Sequence, residues 1–152
     1  MSTITVAALI LKGGEVFLGK RRPNRKMWPG VWDLIGGHCE REETPEETLV
    51  SEVNDEIGVT PINFTQFATV NDSIVGSPSG YPCLVFLVTE WTGTPRNMQL
   101  HEHSEISWFP ITDSLNVDLA HPDYPTIFRT IAFCRSMIGS KHFPQSVLDG
   151  CG

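Results

Sequence analysis

At 152 residues with 40% hydrophobic content, the chain holds enough apolar side chain for one core and too little for two. Its net charge of −7 excludes general nucleic-acid binding, which rests on neutralising backbone phosphates, but leaves small polyphosphates open because metal ions bring positive charge with them. The apolar run at 4–11 is too short to span a bilayer and follows no basic stretch, so neither anchor nor signal peptide is indicated and a cytoplasmic protein is expected.

Strands are predicted at about 4–11 and 15–20, joined by the Gly13-Gly14 turn. A loop rich in proline, glycine and basic residues follows through residue 33. Lys20, Arg21, Arg22, Arg25 and Lys26 make a dense basic patch in an otherwise acidic chain. Either it is a solvated edge kept soluble by charge, or it meets phosphates, with Arg21 the leading contact because a strand end fixes its direction. Trp28 and Trp32 flank the loop, where aromatic faces can stack on a base or pack into the core.

Next comes the most informative segment, a Gly36-Gly37 pair feeding a helix. Thr44 is a good N-cap, Pro45 falls where a missing N–H costs nothing, and Glu47 completes a capping box. Leu49, Val50, Val53 and Ile57 recur at helical spacing and Gly58 supplies the left-handed stop, so the helix runs from about 45 to 57. Glu52 and Glu56 share one strip a turn apart, and Asp55 borders it.

Like charges at that spacing repel by about 3 kcal/mol per pair at an effective dielectric of 20. A bound cation reverses the sign. An acidic solvated face is the ordinary reading of such a helix. Two features weigh against it: no Lys or Arg relieves the acids at i,i+4, and the glycines sit where a backbone carbonyl can join the same ion. Oxygen ligands of this kind suit Mg²⁺, with Mn²⁺ as an alternative.

Further strands are predicted near 63–70 and 82–91, around a Ser77-Pro78-Ser79-Gly80 loop, and a short one near 105–109. A second helix is expected at about 123–138, with Ile127, Ile131, Phe133, Cys134 and Ile138 on an apolar face. This order suits one α/β domain over residues 1–138, helices packed on a mixed sheet, and a loose tail at 139–152. The cysteines at 39, 83, 134 and 151 lack zinc-site spacing and read as reduced thiols.

Residues 37–59 resemble the signature of the Nudix (MutT-like) hydrolases. That signature has Gly, then Glu after five residues, then after seven Arg-Glu, an aliphatic residue, any residue, Glu-Glu, any residue, Gly and an aliphatic residue. Gly37, Glu43, Glu52, Val53, Glu56, Gly58 and Val59 fall on its positions, while Ser51 replaces the Arg and Asp55 the first Glu of the pair. The segments 18–22, 28–34 and 102–109 extend the likeness from about 4 to 138.

The resemblance implies a Nudix-type α/β/α sandwich with a mixed sheet and two main helices. It implies Mg²⁺-dependent hydrolysis of a diphosphate linkage, with Gly37, Glu52, Asp55 and Glu56 on the metal and Glu43 supporting them. Glu52 is then the general base by likeness to many members, with Glu102 and Glu105 as alternatives on a late loop and His101 and His103 able to assist; Glu56 completes the catalytic set. Lys20, Arg21, Arg22, Trp28 and Trp32 are the substrate-binding candidates. In the family the missing Arg holds the box glutamates, so Ser51 predicts reduced turnover unless another cation, such as Arg41, compensates.

The substrate implied first is a (deoxy)nucleoside triphosphate, cleaved by a pyrophosphohydrolase, with nucleotide sugars or ADP-ribose second. A Nudix-fold module that binds a nucleotide without hydrolysing it is the alternative from another class. Isoprenoid diphosphate isomerases share the fold, but Cys39 with His38 is too slight a match to their catalytic set. Partners implied are a small nucleoside polyphosphate and, as in many relatives, a second copy of the chain, with no nucleic acid and no membrane.

Overall fold

The computed structural model describes residues 4–24, 29–40, 42–71 and 82–138. The Ser77–Gly80 loop, the tail at 139–152, and Arg25, Lys26, Trp28 and Arg41 lie outside the described residues. No helix among those described is long and apolar enough to cross a membrane.

Two strands, β1 (Thr5–Lys12) and β2 (Glu15–Arg21), form the expected hairpin. Gly13 and Gly14 turn it at φ of 57° and 87°, a left-handed pair that glycine adopts without strain. Beyond Leu11↔Val16 and Lys12↔Glu15 the two strands part, and β1 takes new neighbours. It pairs antiparallel with β4 (Ile35–His38) and parallel with β6 (Pro82–Thr92), which carries β5 (Thr60–Asn71) on its other edge. β2 lies between β3 (Trp32–Asp33) and β7 (His103–Pro110). The sheet is therefore mixed, as expected.

Side chains along β1 alternate between two apolar layers, which is why its sequence reads as an unbroken hydrophobic run. Val6, Ala8 and Ile10 pack in one layer with Leu49, Val53 and Ile57 of helix α1 (Pro45–Ile57). Ala7, Leu9 and Leu11 pack in the other with Ile127, Phe128 and Ile131 of helix α2 (Tyr124–Ile138). The molecule is a helix, sheet, helix sandwich.

Several expectations change in detail. The stretch read as loop through 33 ends in β3, and the Gly36-Gly37 pair ahead of the helix lies within strand β4. Glycine is a poor strand former, yet here the strand needs it: a Cβ on Gly36 would stand 2.0 Å from the Val6 carbonyl oxygen. Phe133, expected on the apolar face of α2, is 62% exposed, while Phe128 is fully buried in its place. Cys39 and Cys83 are reduced thiols outside any disulfide, as expected, but Cys134 is disulfide-bonded.

Candidate active site

Helix α1 begins with the capping box read from the sequence, Thr44 Oγ1 accepting from Glu47 N at 3.1 Å and Glu47 accepting from Thr44 N at 2.9 Å. Gly58 closes it at φ 74°. Between these fixed ends, Val53 and Ile57 face the core and hold Glu52 half-buried and Glu56 buried, both on the wall of a cleft of about 820 Å³. β4 delivers Gly37 to the same wall, where a Cβ would lie 2.6 Å from the Glu52 carboxyl carbon. The Glu52 carboxylate thus lies directly against the Gly37 backbone.

The second contribution comes from the chain between β6 and β7, which is stitched to the C-terminal turn of α1. Arg96 N donates to the Ile57 carbonyl, Met98 N to that of Glu56, and Gln99 Nε2 to that of Asp55, at 2.9, 2.9 and 3.3 Å. With Gly58 N on Asn54, every carbonyl of the last turn has a partner. That docking brings Glu102 and His103 to the cleft, where Glu56, Glu102 and His103 offer ligand atoms within 4.8 Å of one another. His103 Nε2 lies 2.9 Å from Glu56 Oε1.

Charge is concentrated here at the expense of the acids. Partial burial, with the Glu56, Asp55, Glu102 and Glu43 charges around it, pushes the Glu52 carboxyl up to about 7. Burial also raises that of Glu56, opposed by the His103 hydrogen bond. Glu56 Oε2 is buried with no hydrogen-bond partner, which is costly for a carboxylate. An orphaned buried oxygen beside a second carboxylate, on a wall that also carries the Gly37 backbone, fits a divalent cation.

The other sequence-derived residues divide. Arg21 lines the cleft, 3.7 Å from Asp33 Oδ2, and Tyr124 donates to Asp33 Oδ1 at 2.8 Å. Lys20 is not on the cleft wall; its amine lies over the Trp32 ring at 5.9 Å. Arg22 Nε donates to the Leu100 carbonyl, tying β2 to the loop before β7. Trp32 packs edge-on to Phe109 at 4.8 Å and belongs to the core layer.

Asp55 is exposed and stands outside the cleft wall, though near enough for its charge to act on Glu52. Glu105 is exposed on β7 opposite Lys20, so the late-loop acid brought to the cleft is Glu102. Glu43 accepts from Thr48 Oγ1 and Glu40 N at 3.0 and 3.2 Å and braces the first turn of α1. Ser51 is exposed. The residue underrated from sequence is His103, whose link to Glu56 spans distant parts of the chain; the only signal was the His-Ser-Glu run that opens β7.

The model of the NUDIX domain matches residues 1–131. The chain belongs to the Nudix family. A CTP pyrophosphohydrolase of Escherichia coli strain K12 is 28% identical over 127 residues, covering 80% of this chain and 86% of that protein. An 8-oxo-dGTP diphosphatase of Proteus vulgaris is 35% identical over 89 residues, 58% of this chain and 76% of its own. Among solved structures, the MutT protein of Methanosarcina mazei Go1 superposes with a TM-score of 0.72 at 27% identity, covering 83% of this chain and 89% of that one. This Nudix chain is accordingly a hydrolase of phosphorus-containing anhydrides, in a family that acts on nucleotide derivatives and generally uses a divalent metal.

Proposed function

We propose that the protein is a Mg²⁺-dependent (deoxy)nucleoside triphosphate pyrophosphohydrolase, converting its substrate and water to the nucleoside monophosphate and pyrophosphate. One observation carries the reading: Glu52 pressed against Gly37, beside the partnerless Oε2 of Glu56, on the wall of a cleft that also holds Arg21. Its volume, about 820 Å³, lies in the range of small-ligand sites. The names of the two relatives above, both triphosphate hydrolases, support the substrate class.

The Gly37 carbonyl, Glu52 and Glu56 would hold the ion, and Asp55 adds negative charge from the rim. When bound, Mg²⁺ neutralises phosphate charge and lowers the pKa of a bound water. Glu52 takes the proton of the attacking water, work worth about 10²–10⁴-fold for a well-placed base. Glu102, within 4.8 Å of Glu56, orients that water. Arg21, steadied by Asp33, contacts a phosphate.

A panel of nucleoside di- and triphosphates incubated with Mg²⁺ and read by mass spectrometry tests this. Pyrophosphate release from triphosphates is expected, with Glu56→Gln lowering it by about 10²-fold or more. Tight nucleotide binding with no turnover at any Mg²⁺ or Mn²⁺ concentration would overturn the enzyme and leave a binding module.

A further inference from the structure

We propose that His103 is a positioning residue, whose Nε2–H fixes Oε1 of Glu56 so that Oε2 alone is presented to the divalent ion. The inference rests on the metal-binding reading of Glu56 above. It arises from the buried environment of the pair: Glu56 and His103 are 6% and 4% exposed, and they meet at 2.9 Å. A carboxylate on a long side chain must give up rotamer freedom to hold an ion whose coordination tolerates little positional error. The contact from β7 removes that freedom before the ion arrives.

Which nitrogen carries the proton follows from the surroundings. His103 Nδ1 is buried without a partner and faces Gly19 of β2, where a Cβ would approach to 2.9 Å. A buried N–H with no acceptor is rarer than an unpaired acceptor, so the proton sits on Nε2 and points at Glu56. The same argument disfavours His103 as a metal ligand. Ligation through Nε2 would place the proton on Nδ1, where a ligating histidine ordinarily finds a carboxylate, carbonyl or water and here finds none.

The arrangement is supported from two sides. Behind the ring, the missing Cβ of Gly19 makes the room, with Ile35 Cδ1 at 3.3 Å from where that atom would be. Along the chain, Asn97 Nδ2 donates to the His103 carbonyl at 2.8 Å and His103 N donates to Gln99 at 3.0 Å. Met98, from the same stretch, donates to the Glu56 carbonyl, so the loop grips both the backbone and the side chain of one residue. In a helix whose face carries no Lys or Arg at i,i+4 to the acids, the stabilising donor arrives from another element.

The test is Mn²⁺ affinity of the full chain without nucleotide, followed by the paramagnetic resonance of the free ion. His103→Ala should weaken binding by about 10-fold or more, as loss of an outer partner of a metal ligand does. His103→Gln, whose amide can reach the same oxygen, should restore affinity to within about threefold. In a Glu56→Gln background, adding His103→Ala should change affinity by less than about twofold, because the group it positions is already gone. Gly19→Ala leaves His103 in the chain but displaces its ring, and should weaken binding by at least about threefold; it decides the matter if His103→Ala does not fold.

Unchanged affinity in His103→Ala or Gly19→Ala, a His103→Gln variant no better than alanine, or direct nitrogen coupling to Mn²⁺ in the pulsed spectrum would overturn the inference. Failure of the unaltered protein to bind Mn²⁺ would instead remove the functional reading on which it rests.

Discussion

Glu52 and Glu56 are held where a carboxylate is least comfortable, half-buried or buried and facing one another's charge. Both carboxyls have raised pKa values in the folded chain, so between the ordinary value of 4.5 and about 7 the native state binds more protons than the unfolded one. Stability therefore falls as pH rises through that window. The expected outcome is a metal-free melting temperature higher near pH ~5 than near pH ~8, with saturating Mg²⁺ recovering the loss at the higher pH. A melting temperature that climbed across the window without metal would contradict this. Glu52 and Glu56 were legible in the sequence because helical spacing alone puts them on one strip. His103 was read only as able to assist, and its pairing with Glu56 was not legible, since nothing local specifies which distant side chain meets the strip.

The element that positions those acids is α1, whose limits, 45 to 57, follow from Thr44, Pro45, Glu47 and Gly58 without reference to the rest of the chain. Removing the cap with Thr44→Ala should cost about 1 kcal/mol in urea denaturation, at an unchanged slope. β4 is the opposite case. Its glycines argue against a strand locally, and it exists because the Gly36 backbone meets the Val6 carbonyl too closely for any Cβ. Gly36→Ala is expected to lose about 3 kcal/mol, and a loss below about 1 kcal/mol would show that the pairing of β4 with β1 tolerates a side chain. A short glycine-containing strand is invisible to periodicity, whereas its tertiary partner makes it obligatory.

For the molecule as a whole, the two apolar layers separated by β1 were readable as a sandwich from the order of strands and helices. The face of α2 was read only in part. Ile127, Ile131 and Cys134 are buried, but of the aromatic pair it is Phe128 that enters the core and Phe133 that faces solvent. At about 100° per residue Phe128 borders the stripe of Tyr124, Ile127, Ile131 and Cys134, whereas Phe133 falls on the far side of the helix, so helical phase itself selects Phe128. Phe128→Ala should therefore cost about 3–5 kcal/mol, against about 0.5 kcal/mol or less for Phe133→Ala.

The whole account turns on whether the edge formed by α1 and β4 holds a divalent ion. Anomalous scattering from a crystal soaked in Mn²⁺ measures this directly. A peak about 2.1–2.3 Å from the carboxylates of Glu52 and Glu56 and from the Gly37 carbonyl is the predicted result. Ordered protein with both carboxylates in place and no peak between them, or a peak elsewhere in the cleft, would contradict it.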